Sequence, residues 1–269
     1  MDQSAMSKLI RDAVLAPQRN DAIEKVVRQL SEQATASAAE TGKLSDFIWD
    51  VFNAVFDVSA TIGTPAQKLL PVFMEKLRQA NVAGADDKTL KHEGGEVWKD
   101  LPTFGWVARD HWNFDAWAPM SGDEYTEIFR RSAFLASLTF QSSDLNDLMD
   151  PFNFSMFGLW ALRTAFEDTL PHDVTNTQAA ELAVPWIACS GESLLKLSQE
   201  NANLPANVGA GGERFRSKGW KGFNPERWAV WRDGFAAAAE RAEDTKDILQ
   251  SVVKIFDELQ RTGKQPNNW

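Results

Sequence analysis

The sequence predicts an all-α fold, an irregular multi-helix bundle of about eight to ten helices. Three observations predict it. Apolar residues recur in steps of three and four along nearly every periodic segment, as one helix face requires, and no convincing stretch alternates as a strand would. Cap-forming residues and first-turn prolines stand ahead of several of these segments. No repeat of fixed period emerges, which makes a regular solenoid second choice. A chain of 269 residues can bury a large core. The expected arrangement is a single helical domain over 1–269, with an optional N-terminal subdomain, 1–80, joined by a flexible loop, 81–95, to a main part, 96–269.

Asn20 is placed to cap a helix whose Ile23, Val26, Val27, Leu30 and Ala34 share a stripe. From Leu44, the residues Phe47, Ile48, Val51, Phe52, Val55 and Phe56 form a broader stripe suited to a core helix. Thr64-Pro65 reads as a cap with first-turn proline, and Leu69, Leu70, Phe73 and Leu77 carry that helix to Ala80. Residues 81–95 are polar, Gly-containing and aperiodic, as a connection should be.

Trp98, Trp106, Trp112 and Trp117 follow in a segment broken by Pro102 and Pro119, which predicts short helical turns. Ser121 and Glu124 have capping-box spacing before an apolar run from Tyr125 to Phe140. Beyond a polar loop at 142–150, Leu159, Leu162, Phe166 and Leu170 lie on one face, and Pro171 closes the element. Asn176 or Thr177 opens the next helix, which Pro185 should kink. Asn224 and Pro225 start another, with Trp228, Trp231, Phe235 and Ala238 as its seam. The last helix carries Ile248, Val252, Ile255 and Leu259, with Leu249, Val253 and Phe256 alongside.

Composition narrows the chemistry. Eleven Trp against one Tyr is lopsided, and indoles at helical spacing serve first as core; an aromatic ligand site is the minority reading. A net charge of −10 argues against nucleic acid and anionic membranes as partners. One cysteine, Cys189, excludes an internal disulfide framework and fits a cytoplasmic address, with the nucleus as second choice. No run of eighteen apolar residues occurs, so no membrane span is expected.

His92, His111 and His172 stand far apart without zinc-site spacing, so neither metal nor other cofactor is expected. Cys189, inside a predicted helix, reads as an inert thiol. Gly209, Gly211 and Gly212 lack the strand and the Gly-Lys-Ser/Thr ending of a phosphate cradle. No catalytic constellation emerges. Two groups remain. Arg214, Arg216, Lys218, Lys221, Arg227 and Arg232 interleave with aromatics between Glu213 and Asp233. That pattern nominates Arg227, Trp228, Trp231, Trp220 and Lys221 as a partner surface, or else aromatics facing inward under basic stems. Trp106, Trp112, Trp160 and Trp186, with the i,i+4 pair Arg163 and Glu167, nominate an apolar ligand pocket.

Three blocks in order carry a family resemblance. They are Gly158-Leu159-Trp160-Ala161-Leu162-Arg163 followed by Phe166-Glu167; Ala179-Ala180 followed by Trp186-Ile187 and Gly191; and Gly211-Gly212-Glu213 followed by Gly222-Phe223 and Arg227-Trp228 with Trp231. With Phe134-Leu135-Ala136 they cover roughly residues 95–240. The chain resembles a filamentous-fungal (ascomycete) family of unknown function. It departs from that pattern at Phe166, where leucine is expected, and at Pro185. The resemblance implies a fungal, intracellular, helical protein and supplies no activity. The expected function is therefore a non-enzymatic interaction or scaffold module with an unidentified protein partner. The alternative is a small-molecule binder or enzyme with a Trp-lined cavity.

Overall fold

The computed structural model describes residues 2–63, 66–84, 87–170 and 177–266. The expected Thr64-Pro65 helix start, Pro171, His172 and Asn176 lie outside them. Among the described residues the chain forms eleven α-helices and one two-residue hairpin, an all-α fold. It divides into two compact units: 1–113 with 126–134, and 114–125 with 135–269.

The first unit holds α1 (Gln3–Leu15), α2 (Arg19–Ser37), α3 (Lys43–Thr61), α4 (Leu70–Gln79) and α5 (Phe104–His111). The stripe on α1 is short and broken by small residues, too weak a period to mark the helix in the sequence. Asp2 caps it through the Ala5 N–H, and Met6, Ile10, Ala13 and Val14 are buried. The α2 stripe is buried as expected, but the helix begins before Asn20, at a Gln18 that supplies no side-chain cap. Asn20 therefore sits inside the first turn.

The centre of this unit is α3. Phe52 and Phe56 pack against Phe104 at 5.2 and 5.5 Å, and Phe52 also meets Trp98 at 6.3 Å. Trp98 is buried and donates its indole N–H to Ser31 at 3.1 Å, which lets a polar edge enter an apolar core. The stretch expected to be structureless carries β1 (Lys91–His92) and β2 (Gly95–Glu96), antiparallel about a Glu93-Gly94 turn.

The second unit is built on α8 (Gln178–Gln199), which is buried on nearly all sides. Around it stand α7 (Ser155–Phe166), α10 (Pro225–Arg241) and α11 (Lys246–Thr262), with the short α9 (Ala206–Gly209) leading into a 3-10 turn at Glu213–Lys218. The helix α6 (Gly122–Gln141), divided between the units, starts at Ser121, whose hydroxyl accepts the Glu124 N–H at 3.1 Å. The stripe on α7 ends at Phe166; Leu170 lies beyond the helix and is exposed. Thr177 stands at the start of α8, yet its hydroxyl donates to Glu181 rather than capping. On α11 the buried face is Leu249, Val252, Ile255, Phe256 and Leu259, while Ile248 is exposed.

Pro185 was expected to kink α8. The helical dihedrals break five residues later, at Ser190 (φ −131°). A break frees backbone groups that a core must pair. Gln265 pairs them: its amide donates to the Ile187 and Ala188 carbonyls at 3.2 and 2.7 Å and accepts the Glu192 N–H at 3.1 Å.

Candidate functional site

A fully buried ion pair forms a node at the start of α10 in the second unit. Asn224 accepts the Arg227 N–H at 2.8 Å and Pro225 fills the first turn. This fixes where Arg227 and, one turn later, Trp231 project. Glu167 sits at the C-cap of α7, so its side chain leaves the helix face shared with Arg163. The two meet: Arg227 Nε and Nη2 donate to Glu167 Oε1 and Oε2 at 2.7 and 2.9 Å, and both side chains are fully buried.

Loop backbone completes the node. Arg227 Nη1 donates to the Gly209 and Gly222 carbonyls, both at 2.8 Å, and Nη2 to Ala210 at 3.1 Å. Glu167 accepts two further hydrogen bonds, from Trp231 Nε1 at 2.7 Å and the Gly212 N–H at 2.9 Å. The rings of Trp220 and Trp231 flank the guanidinium at 5.4 and 5.6 Å. Every N–H of Arg227 is thus engaged. The approach is close enough to require glycine. A Cβ on Gly212 would stand 2.6 Å from the Glu167 backbone, and one on Gly222 (φ +152°) 2.2 Å from the Ala202 carbonyl.

This arrangement holds loops and does no chemistry. A general acid or base must reach a substrate proton, and a carboxylate with no exposed surface and four donors cannot. The i,i+4 reading paired Glu167 with Arg163; its partner is instead sixty residues away in sequence. Nothing local signals that pairing. Arg163 lies half-buried, 4.0 Å from Asp168. Asp168 itself, whose pKa burial pushes up, accepts the Glu213 N–H at 3.1 Å.

Of the residues nominated for a partner surface, Lys221 is exposed; Arg227, Trp228 and Trp231 are buried and Trp220 is 9% exposed. The ion pair holds Trp220 and Trp231 beside it, whereas Trp228 turns to Phe256. The nominated pocket residues are divided between the two units. In the first unit Trp106 is 60% exposed, and Trp112 is half-buried with its N–H on Ser132 at 3.0 Å. In the second, Trp160 stacks on Phe157 at 5.6 Å and Trp186 is fully buried. None of these four rings lines any of the five principal cavities among the described residues.

One cavity does adjoin the node. A groove of about 250 Å³ runs between α8, α10 and α11. Leu195, Trp228 and Phe256 line it, with Pro225 and Ala229 beside them. Trp228 and Phe256 pack at 4.5 Å. At the rim Arg232 holds Asp257 through two hydrogen bonds, at 2.8 and 3.3 Å. Adjacent residues therefore divide the work: Arg227 turns to the node, and Trp228 to the groove.

The described histidines and Cys189 stand apart from the node. His111 Nε2 lies 2.8 Å from Asn53 Oδ1, and its ring stacks on Phe56 at 4.9 Å. Burial, then the Arg131 charge, lower its pKa. Cys189 is half-buried. Among the described residues no three His, Cys, Asp or Glu side chains stand together as a metal site, and no helix is long and apolar enough to cross a membrane.

Comparison with curated proteins and with solved structures gives no match. A family model described as protein of unknown function (DUF3632) matches residues 52–235. The match takes in the Glu167–Arg227 node and the groove's Trp228, and it begins within α3, upstream of the blocks that carry the resemblance. On that match, the chain belongs to the DUF3632 family of proteins of unknown function.

Proposed function

We propose that this chain is an intracellular, non-enzymatic interaction module whose groove between α8, α10 and α11 receives one bulky apolar side chain from a partner protein. The observation that carries the reading is the groove itself, about 250 Å³ with Leu195, Trp228 and Phe256 among its lining. Pockets for whole small molecules run from about 300 to 1,000 Å³, so this volume suits a single side chain better than a substrate. The two ionisable side chains among its lining, Arg232 and Asp257, are paired with each other at 2.8 Å.

Ala229 supplies the test, because it lines the groove, is exposed and sits on a helix where substitution costs little. A displayed peptide library is selected on the full chain, and the selected peptides are titrated against the unaltered chain and against Ala229→Trp. Enrichment of peptides bearing Trp, Phe or Leu is expected, with binding at least tenfold weaker in the variant and an unchanged melting temperature. Binding indifferent to Ala229→Trp would remove the groove from the function. Saturable, groove-dependent uptake of an apolar dye without peptide binding would favour the small-molecule alternative.

A further inference from the structure

A second feature lies in the loop between α6 and α7, away from the residues of the groove. From Ser132 to Leu162 the chain carries three Asp and no Lys, Arg or Glu. One of the three, Asp150, is buried and organises the loop. Its Oδ2 accepts the Ser143 and Asp144 N–H groups at 3.0 and 3.2 Å and the Ser143 hydroxyl at 2.6 Å, and its Oδ1 accepts the Phe152 N–H at 2.9 Å. Asn153 Nδ2 ties down the other arm through the Leu145 and Asp147 carbonyls, each at 2.9 Å. Asp144 and Asp147 fold their own turns by accepting the Asn146 and Met149 N–H groups at 2.9 and 2.8 Å.

A loop so pinned has little conformational freedom left to lose on binding. Beside the exposed polar Ser143 and Asn146, it displays two adjacent apolar side chains. Leu148 is 41% and Met149 85% exposed, flanked by the exposed Asp144 and Asp147. Leucine and methionine gain by leaving water, so their display on a rigid mount is what a docking element requires. Charge decides the occupant. The flanking acids and the chain's net charge of −10 repel an anionic membrane and a second copy alike.

We infer that the 142–150 loop is a preformed docking element for a protein partner that offers an apolar pocket ringed by Lys or Arg. Met149 and Leu148 enter that pocket while Asp144 and Asp147 meet its basic rim.

The test uses the full chain. Proteins retained by it from cells of its source organism are identified, purified and titrated against four forms: unaltered, Met149→Ser, Asp144→Asn with Asp147→Asn, and Ala229→Trp. Asparagine keeps the side-chain oxygen that accepts the backbone N–H, so the double change removes charge and leaves the turns intact. Supporting results are tenfold or weaker binding in Met149→Ser, several-fold weaker binding with a flattened salt dependence in the asparagine double, and unchanged binding in Ala229→Trp. All four forms should melt alike. The inference is overturned if no protein is retained or if binding ignores Met149→Ser or ignores the asparagine double. It is overturned equally if Met149 drives self-association in sedimentation, or if vesicles of phosphatidylserine or phosphatidylcholine bind the chain through it.

Discussion

Replacing Glu167 with glutamine tests the reading of the buried node most directly. The change keeps size and shape but removes the negative charge that faces the Arg227 guanidinium. Breaking a buried pair from one side costs about 3–5 kcal/mol, because the surviving charge stays desolvated. A domain stable by roughly 5–15 kcal/mol would lose about a fifth of its stability or more. At roughly 2–4 °C per kcal/mol for a chain of this size class, its melting temperature should fall by about 10 °C. Urea unfolding followed by tryptophan fluorescence would measure the loss.

The double variant Glu167→Leu with Arg227→Met sharpens the test. Apolar replacement of a buried ion pair is often neutral or stabilising. Here it should not be. It would orphan the Gly209, Gly222 and Ala210 carbonyls and the Gly212 and Trp231 N–H groups, each costing about 1–3 kcal/mol when buried without a partner. Against that stands relief of about 1–4 kcal/mol from no longer burying two ions, so a net loss remains. A double variant as stable as the parent would refute the claim that this pair clasps the loops. A Glu167→Gln loss under about 1 kcal/mol would refute the desolvation argument itself.

Three further outcomes follow from the same reasoning. Gln265→Ala should cost roughly 2–4 kcal/mol by unpairing the Ile187 and Ala188 carbonyls and the Glu192 N–H; hydrogen exchange at the Glu192 amide should rise, and unchanged protection would count against the plug. Gly234→Ala should destabilise by about 1–3 kcal/mol, since its Cβ would meet the Phe166 ring at 2.4 Å; adding Phe166→Leu should recover most of that in a thermal melt. Burial raises the Asp150 pKa, but the Ser143 hydroxyl and the Phe152 and Asp144 N–H groups outweigh it and hold the value below the usual carboxylate range. The carboxylate therefore stabilises the folded loop above that range, and the contribution fades as pH falls through the lowered value; exchange at the Ser143 and Asp144 amides should accelerate in strong acid, and Asp150→Asn should erase that step.

Helix period carried most of the fold. The stripes on α2, α3 and α10 are buried as spaced, and Ser121, Asn224 and Pro225 start helices where cap chemistry places them. Errors came where two local signals compete. Asn20 has the right chemistry for a cap but stands inside a turn already begun. Pro185 lacks an N–H, yet the backbone yields at Ser190, beside Gly191, where the Gln265 amide can take up the freed groups. That choice depends on a side chain seventy-odd residues away, which no local pattern records.

The site shows the same limit more sharply. The basic and aromatic stretch was legible as unusual, and the inward reading of its aromatics describes Trp220, Trp228 and Trp231. Its acid was not legible, because Glu167 looks like the i,i+4 partner of Arg163 until α7 is seen to end one residue earlier. The blocks that carry the family resemblance meet at this node: Glu167 from the first, and Gly212, Gly222, Arg227 and Trp231 from the third. They record how a long loop is fastened to two helices, which is a property of the fold. On the proposed reading, the residues that recognise a partner are those the fastening leaves facing outward, Ala229 and Arg232 at the groove and Leu148 and Met149 on the pinned loop. Substitutions there should alter binding without altering the melt, whereas substitutions in the node should do the reverse at any temperature where the chain remains folded.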